Sequence, residues 1–170
     1  MKTMKKLLAC LLMLGLFACM VVPASAVNTQ YGPTREFLKV MDRENHKYSY
    51  MGVDNNDDEE VDVSFSGDNK DEINVEIYFD EDLDSVSLRS WYVISFDETD
   101  LGNVLLRINE LNSNYKYITF VVDTNDYSVD AKVDCPLRDD ANAGEIAYDA
   151  LYYIVQIIDD AYPELAEYAK

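Results

Sequence analysis

One histidine, three cysteines, four prolines and six glycines are all that this 170-residue chain holds of the residues that build metal centres, disulfide frameworks and loop-rich scaffolds. A single imidazole and three thiols exclude most His- and Cys-based metal sites. Basic residues are also scarce, with 14 Lys and Arg against 33 Asp and Glu and a net charge of −19. Nucleic-acid backbones and anionic lipid surfaces are held by clusters of Lys and Arg, so this balance argues against both as direct partners. Apolar residues are not scarce. At 48% apolar and 12% aromatic the chain is too rich for a disordered acidic tail, and its length suits one domain. No internal repeat, Gly/Ser linker or low-complexity tract divides it.

The first 26 residues have the layout of a secretory signal peptide. Lys2, Lys5 and Lys6 form a basic start, Leu7 to Val22 an apolar run, and Ala24-Ser25-Ala26 the small residues of a cleavage site. Cleavage after Ala26 is expected to leave Val27 as the new N-terminus, followed by a flexible stretch over 27–33 and a single domain over 34–170. A retained membrane helix is the competing reading, against which stand the cleavage site and Pro23. A second alternative is lipidation at Cys19, although Phe17 and the apolar residues that follow fit a lipoprotein signal poorly. The removed segment carries three lysines and no acid, so 144 residues remain at −22. Cys135 is then the sole thiol, which precludes an internal disulfide and suggests a small buried side chain at the end of a strand.

Hydrophobic periodicity outlines the rest. Thr34 to Lys47 predicts a helix with Phe37, Leu38 and Met41 inward, and Tyr48 to Val53 a short strand, with fusion to the next as one bent strand the alternative. Val61, Val63 and Phe65 alternate with polar residues, as do Ile73, Val75, Ile77 and Phe79. Ser85 to Phe96 begins in the same way and then turns apolar on both faces through Trp91 to Ile94, as in a strand covered on both sides. Glu98 to about Asn112 predicts a helix capped by Asp97, with Leu101, Val104, Leu105, Ile108 and Leu111 facing a core and Leu106 off that stripe. Strands follow over 116–122 and 127–135, joined by a hairpin loop at Asp123 to Asp126 and closed by Pro136. A last helix opens with Asn142 and Glu145 in a capping-box pattern and buries Ala147, Leu151, Ile154, Ile158 and Leu165. Pro163 should kink or restart it near Tyr162. The order α-β-β-β-(β)-α-β-β-α argues an α+β domain with an antiparallel sheet backed by helices.

That order, together with Leu105-Leu-Arg-Ile-Asn-Glu-Leu-Asn112 leading into a strand, Cys135-Pro-Leu137 and Ala161-Tyr-Pro-Glu164, resembles the YbjN family of bacterial proteins. The resemblance runs from about Arg35 to Ala169. It implies the fold of type III secretion chaperones, a role as a candidate sensory-transduction regulator or a holder of extended protein segments, and no enzymatic activity or cofactor. The export signal departs from that pattern, because a cytosolic secretion chaperone works before export.

Motifs for catalysis are missing: there is no G-x-S-x-G, P-loop, H-E-x-x-H or C-x-x-C. His46 is expected at the surface. The acid-rich segments 54–60 and 80–84 could ligate calcium, which makes an extracytoplasmic sensor of calcium or a small ligand the alternative function. From Asp54, however, the sixth residue is Glu59 and the twelfth Phe65, so the EF-hand pattern fails. Asn109 and Asn112 are marked by the resemblance. Asn112 is expected to end its helix, tolerate a left-handed backbone and satisfy loose backbone groups with its amide. Beside the core stripe of the last helix, Ile146, Tyr153 and Ile157 form a second apolar ridge, with Asp149, Gln156 and Asp160 on the wet side. Together with Leu106 and the Trp91 to Ile94 run of the sheet, that ridge is the expected surface for a protein client or a homodimer partner.

Overall fold

A computed structural model of the chain describes residues 27–80, 82, 84–137 and 142–170. The expected signal segment, with Ala26 and Cys19, lies outside the described residues. Helix α1 (Gly32–Arg43) precedes four strands, β1 (Ser49–Val53), β2 (Glu59–Phe65), β3 (Ile73–Phe79) and β4 (Ser85–Ser95). A 3-10 turn (Glu98–Asp100) leads into α2 (Leu101–Asn114). Strands β5 (Thr119–Asp123) and β6 (Ser128–Pro136) and helix α3 (Ala143–Ala166) complete the order. The expected α+β architecture is therefore what forms, with β1 a strand of its own. All strand pairs are antiparallel, in the spatial order β1-β2-β3-β4-β6-β5.

One face of the sheet carries Val61, Val63, Ile73, Val75, Ile77, Phe79, Val86, Leu88, Phe120, Val129, Ala131 and Val133, all buried. Strict alternation put them there, since a period of two sends every second side chain to one side. They meet Phe37, Leu38 and Met41 of α1, Val104, Ile108 and Leu111 of α2, and Ala147, Leu151, Ile154, Ile158 and Leu165 of α3. Helices α1 and α3 approach closely at Gly144, where an added Cβ would stand 2.6 Å from the Glu36 carbonyl carbon. Arg43 then joins the two helices through a bidentate pair with Glu145, at 2.6 and 3.0 Å. Glu145 is thereby committed to Arg43 rather than to a box with Asn142.

Several boundaries differ from expectation for identifiable reasons. Helix α1 stops at Arg43 rather than Lys47, because Asn45 takes a left-handed conformation (φ 59°). The Asn45 N–H then donates to the Asp42 carbonyl and the His46 N–H to Met41, at 3.1 and 2.9 Å, which is a Schellman stop. The apolar run Trp91 to Ile94 is not a strand buried on both sides. Register slips between Ser90 and Ile94, and Tyr92 is left-handed (φ 54°) with its N–H on Asp130 Oδ1 at 2.9 Å. This bulge exposes Trp91 and Tyr92 and buries Val93 and Ile94. Left-handed Tyr117 delays β5 to Thr119. Asn112 stays helical, and α2 runs two residues further to Asn114. Helix α3 continues through Pro163 to Ala166 without restarting.

The stretch over 27–33, expected to be flexible, is docked. Glu59 is fully buried, and its carboxylate accepts the Gln30 and Tyr31 N–H groups at 2.5 and 3.1 Å and the Tyr50 hydroxyl at 2.5 Å. Val27 packs against the core and Thr29 is buried. Three donors compensate the cost of burying a carboxylate.

Candidate functional site

The stop at the end of α1 sets His46 against Phe65, the last residue of β2, and against Tyr148 of α3. The His46 ring meets Phe65 edge-on at 5.2 Å and stacks on Tyr148 at 5.8 Å, with Nε2 2.9 Å from the Tyr148 hydroxyl. These rings, with Leu151, Tyr152, Val155 and Gln156, line an open groove of about 290 Å³. Apart from the His46–Tyr148 pair, the Tyr152 hydroxyl and the Gln156 amide, its walls offer hydrocarbon and ring surface. That is the composition of a site that takes an apolar group and orients it with few polar contacts.

The aromatic surface continues past the groove. Tyr152 meets Tyr153 edge-on at 6.1 Å, and Tyr153 lies 5.6 Å from Tyr117, which the left-handed backbone turns outward. Tyr152, Tyr153 and Tyr117 are all exposed, as are Leu105 and Leu106 on α2. Tyrosine supplies large contact area at low conformational cost and tolerates water at its hydroxyl, so an exposed strip of this kind suits intermittent contact with a partner.

Of the expected partner surface, Leu106 is 69% exposed and Tyr153 45% exposed, while Ile146 is half-buried against the core. Ile157 is a correction: at 8% exposure it belongs to the core and offers no ridge. The face of α3 that packs into the core is wider than the stripe on an ideal helix wheel and takes in Ile157. Asp149, Gln156 and Asp160 are exposed, as expected. His46 is not a plain surface residue but a half-buried wall of the groove. Asn112 does what its amide suggested, donating to the Phe120 carbonyl at 3.0 Å and accepting the Phe120 N–H at 2.8 Å, so that α2 clasps β5. Asn109 is exposed and its carbonyl accepts the Ser113 hydroxyl at 2.8 Å.

In the acid-rich loops, Asp54 and Asp80 are engaged by groups of their own segments. Asp54 accepts the N–H groups of Asn56 and Asp58 at 2.7 and 3.0 Å, and Asp80 accepts the Asp84 N–H and the Ser85 hydroxyl. Among the described residues, no grouping of three or more His, Cys, Asp or Glu is arranged to hold a metal ion. Cys135 is half-buried, and burial, then the neighbouring Asp134, pushes its thiol up, away from the thiolate form a nucleophile needs.

Two further arrangements were not legible beforehand. Asp159 of α3 seats its carboxylate over the β2–β3 hairpin and accepts the N–H groups of Asp68, Asn69 and Lys70 at 2.9–3.0 Å. Burial alone would raise its carboxyl, but these three donors hold it below the usual range. A Cβ at Gly67 would stand 2.0 Å from Asp159 Oδ1, so the bare glycine is what admits the carboxylate. On the uncovered face of the sheet, Asp62 pairs across the strands with Glu76, and Glu60 with Tyr78. Burial raises the carboxyls of Glu60 and Asp62, and their acidic neighbours raise them further.

An antiparallel sheet with three helices on one side and an open face on the other defines the class: an α+β fold of the YbjN kind. The chain is similar in structure to YbjN from E. coli, with a TM-score of 0.52 over 74% of this chain and 87% of that one, at 8% sequence identity. At that identity the likeness is one of fold. No protein-family model and no curated protein matches the sequence.

Proposed function

We propose that this chain is an exported, non-enzymatic protein-binding module, which takes an extended segment of a partner protein along α3. The groove walled by His46, Phe65, Tyr148 and Tyr152 carries this reading. Its volume suits one aromatic or branched aliphatic anchor side chain, and the exposed Tyr152–Tyr153–Tyr117 strip beyond it supplies the surrounding contact. Interfaces draw most of their energy from a few anchored side chains of that sort. YbjN is described as a candidate transcription regulator, and a regulatory role here would run through protein contacts, because the chain's charge opposes a phosphate backbone. Export rests on the basic, apolar and small-residue regions of the first 26 residues. N-terminal sequencing of the protein recovered from its host should begin at Val27, whereas an acylated Cys19 would make it a lipoprotein.

Selection from a random peptide library tests the binding reading. Enriched peptides should share an apolar anchor and bind the Tyr152→Ala/Val155→Ser variant at least about tenfold more weakly. Enriched peptides that bind both proteins equally would refute the groove as the site, and peptides replaced by concentration-dependent dimerisation would make a second copy the partner.

A further inference from the structure

The uncovered face of the sheet divides into two halves of different charge. Across β4 and β6, Arg89 and Lys132 stand among Asp130 and Asp134, and Arg89 bonds Asp134 Oδ1 at 2.6 Å. Across β2 and β3, Glu60, Asp62 and Glu76 stand together with neutral Ser64, Asn74 and Tyr78, and β1 sets Ser49 opposite Asp62 and Gly52 opposite Glu60. Arg89 is the cross-strand partner of Glu76, the position from which a cation would neutralise the group. Its guanidinium instead donates to the Leu88 and Val133 carbonyls and to Asp134. Glu76 is left with two neutral donors, the Tyr78 hydroxyl at 2.6 Å and the Trp91 indole N–H at 2.5 Å. Asp62 Oδ1 is buried and accepts no hydrogen bond. Beside these carboxylates the bulge in β4 leaves Trp91 47% exposed, its ring available to a second group while its N–H holds Glu76.

We propose that this half of the sheet is a second docking surface, and that it receives a lysine or arginine side chain from a basic segment of a partner protein. Three carboxylates that pair with no cation among the described residues supply the complementary charge, and an exposed indole ring supplies the face over which an ammonium or guanidinium packs. The surface lies on the side of the sheet away from α3, so it does not depend on the aromatic groove and can be occupied together with it.

Trp91 is the chain's only tryptophan, so its fluorescence reports on this surface alone. Titration of the full chain with an end-blocked tetralysine peptide should give a saturable change in emission. The same peptide with acetylated side chains should give none. Asp62→Asn/Glu76→Gln, which keeps shape and removes two charges, should weaken binding about tenfold or more. Asp149→Asn/Asp160→Asn, which removes the same charge from the wet side of α3, should leave the midpoint unchanged. Equal weakening in both double variants would reduce the effect to net charge and overturn the proposal, as would an acetylated peptide that binds as well. A midpoint indifferent to both pairs, or emission that does not change at all, would overturn it too.

Discussion

On the helix side of the molecule Glu59 and Asp159 each gather backbone N–H groups, whereas on the open face of the sheet Glu60, Asp62 and Glu76 face one another across two strands. The same chemical group thus plays opposite parts. Where a carboxylate closes a segment onto the core, oriented donors more than offset its desolvation. Where carboxylates sit opposite one another, burial and like charge both work against the ionised form. A chain this acidic therefore holds itself together with part of its charge and sets another part against itself across the open face of the sheet.

Substitutions at these positions break or sharpen the contrast. The largest effect is expected at Glu59, because Glu59→Ala strands the Gln30 and Tyr31 N–H groups and the Tyr50 hydroxyl. A loss of about 3 kcal/mol is expected in chemical denaturation, with amide exchange accelerated over 27–31. Gly144→Ala comes next. It pushes a methyl group into the α1 backbone, which must shift, at a cost of about 2 kcal/mol, again read by denaturation. Asp159→Asn should cost about 1 kcal/mol at pH 7. Its pH dependence has a definite sign: the folded carboxyl lies below the unfolded value, so its share of stability is full above about pH 3.9 and is lost as pH falls through the lower folded value. Wild type and variant should converge in acid.

The smallest effect should have the opposite sign. Asp62 is raised in the fold, so its charged form opposes folding above the folded value, and the penalty disappears as pH falls below the unfolded one. Asp62→Asn should therefore stabilise the protein by about 0.5 kcal/mol at pH 7 and leave it unchanged below about pH 3.9. Thermal melts at the two pH values check both signs. Equal shifts for Asp62→Asn and Asp159→Asn would erase the distinction between the two faces.

Most of the fold was legible because it rests on periodicity. The buried sets of β2, β3, β6 and α3 follow from alternation or a helical stripe, and the bonding of the Asn112 amide to loose backbone groups followed from its place near the end of α2, although the helix runs on to Asn114. What escaped depends on non-local geometry. The bulge at Tyr92 looks in the sequence like an apolar run, and only the pairing of Ser90 and Ile94 with β6 shows that extra residues are being accommodated. Asn45 was a readable stop signal whose role in setting His46 into the groove required the position of α3. Ile157 sat beside the core stripe on an ideal wheel and inside the core in fact. The clasp between Asp159 and the β2–β3 hairpin spans about 90 residues of sequence, with no local pattern to announce it.

The claim that the two faces serve two kinds of contact can be tested in one nuclear magnetic resonance titration of the isotope-labelled chain. Tetralysine should move the single Trp91 indole resonance and the amides of β2 and β3, and leave Tyr152 and Val155 in place. A peptide with an apolar anchor should do the reverse. Both peptides moving the same set of resonances would contradict the account.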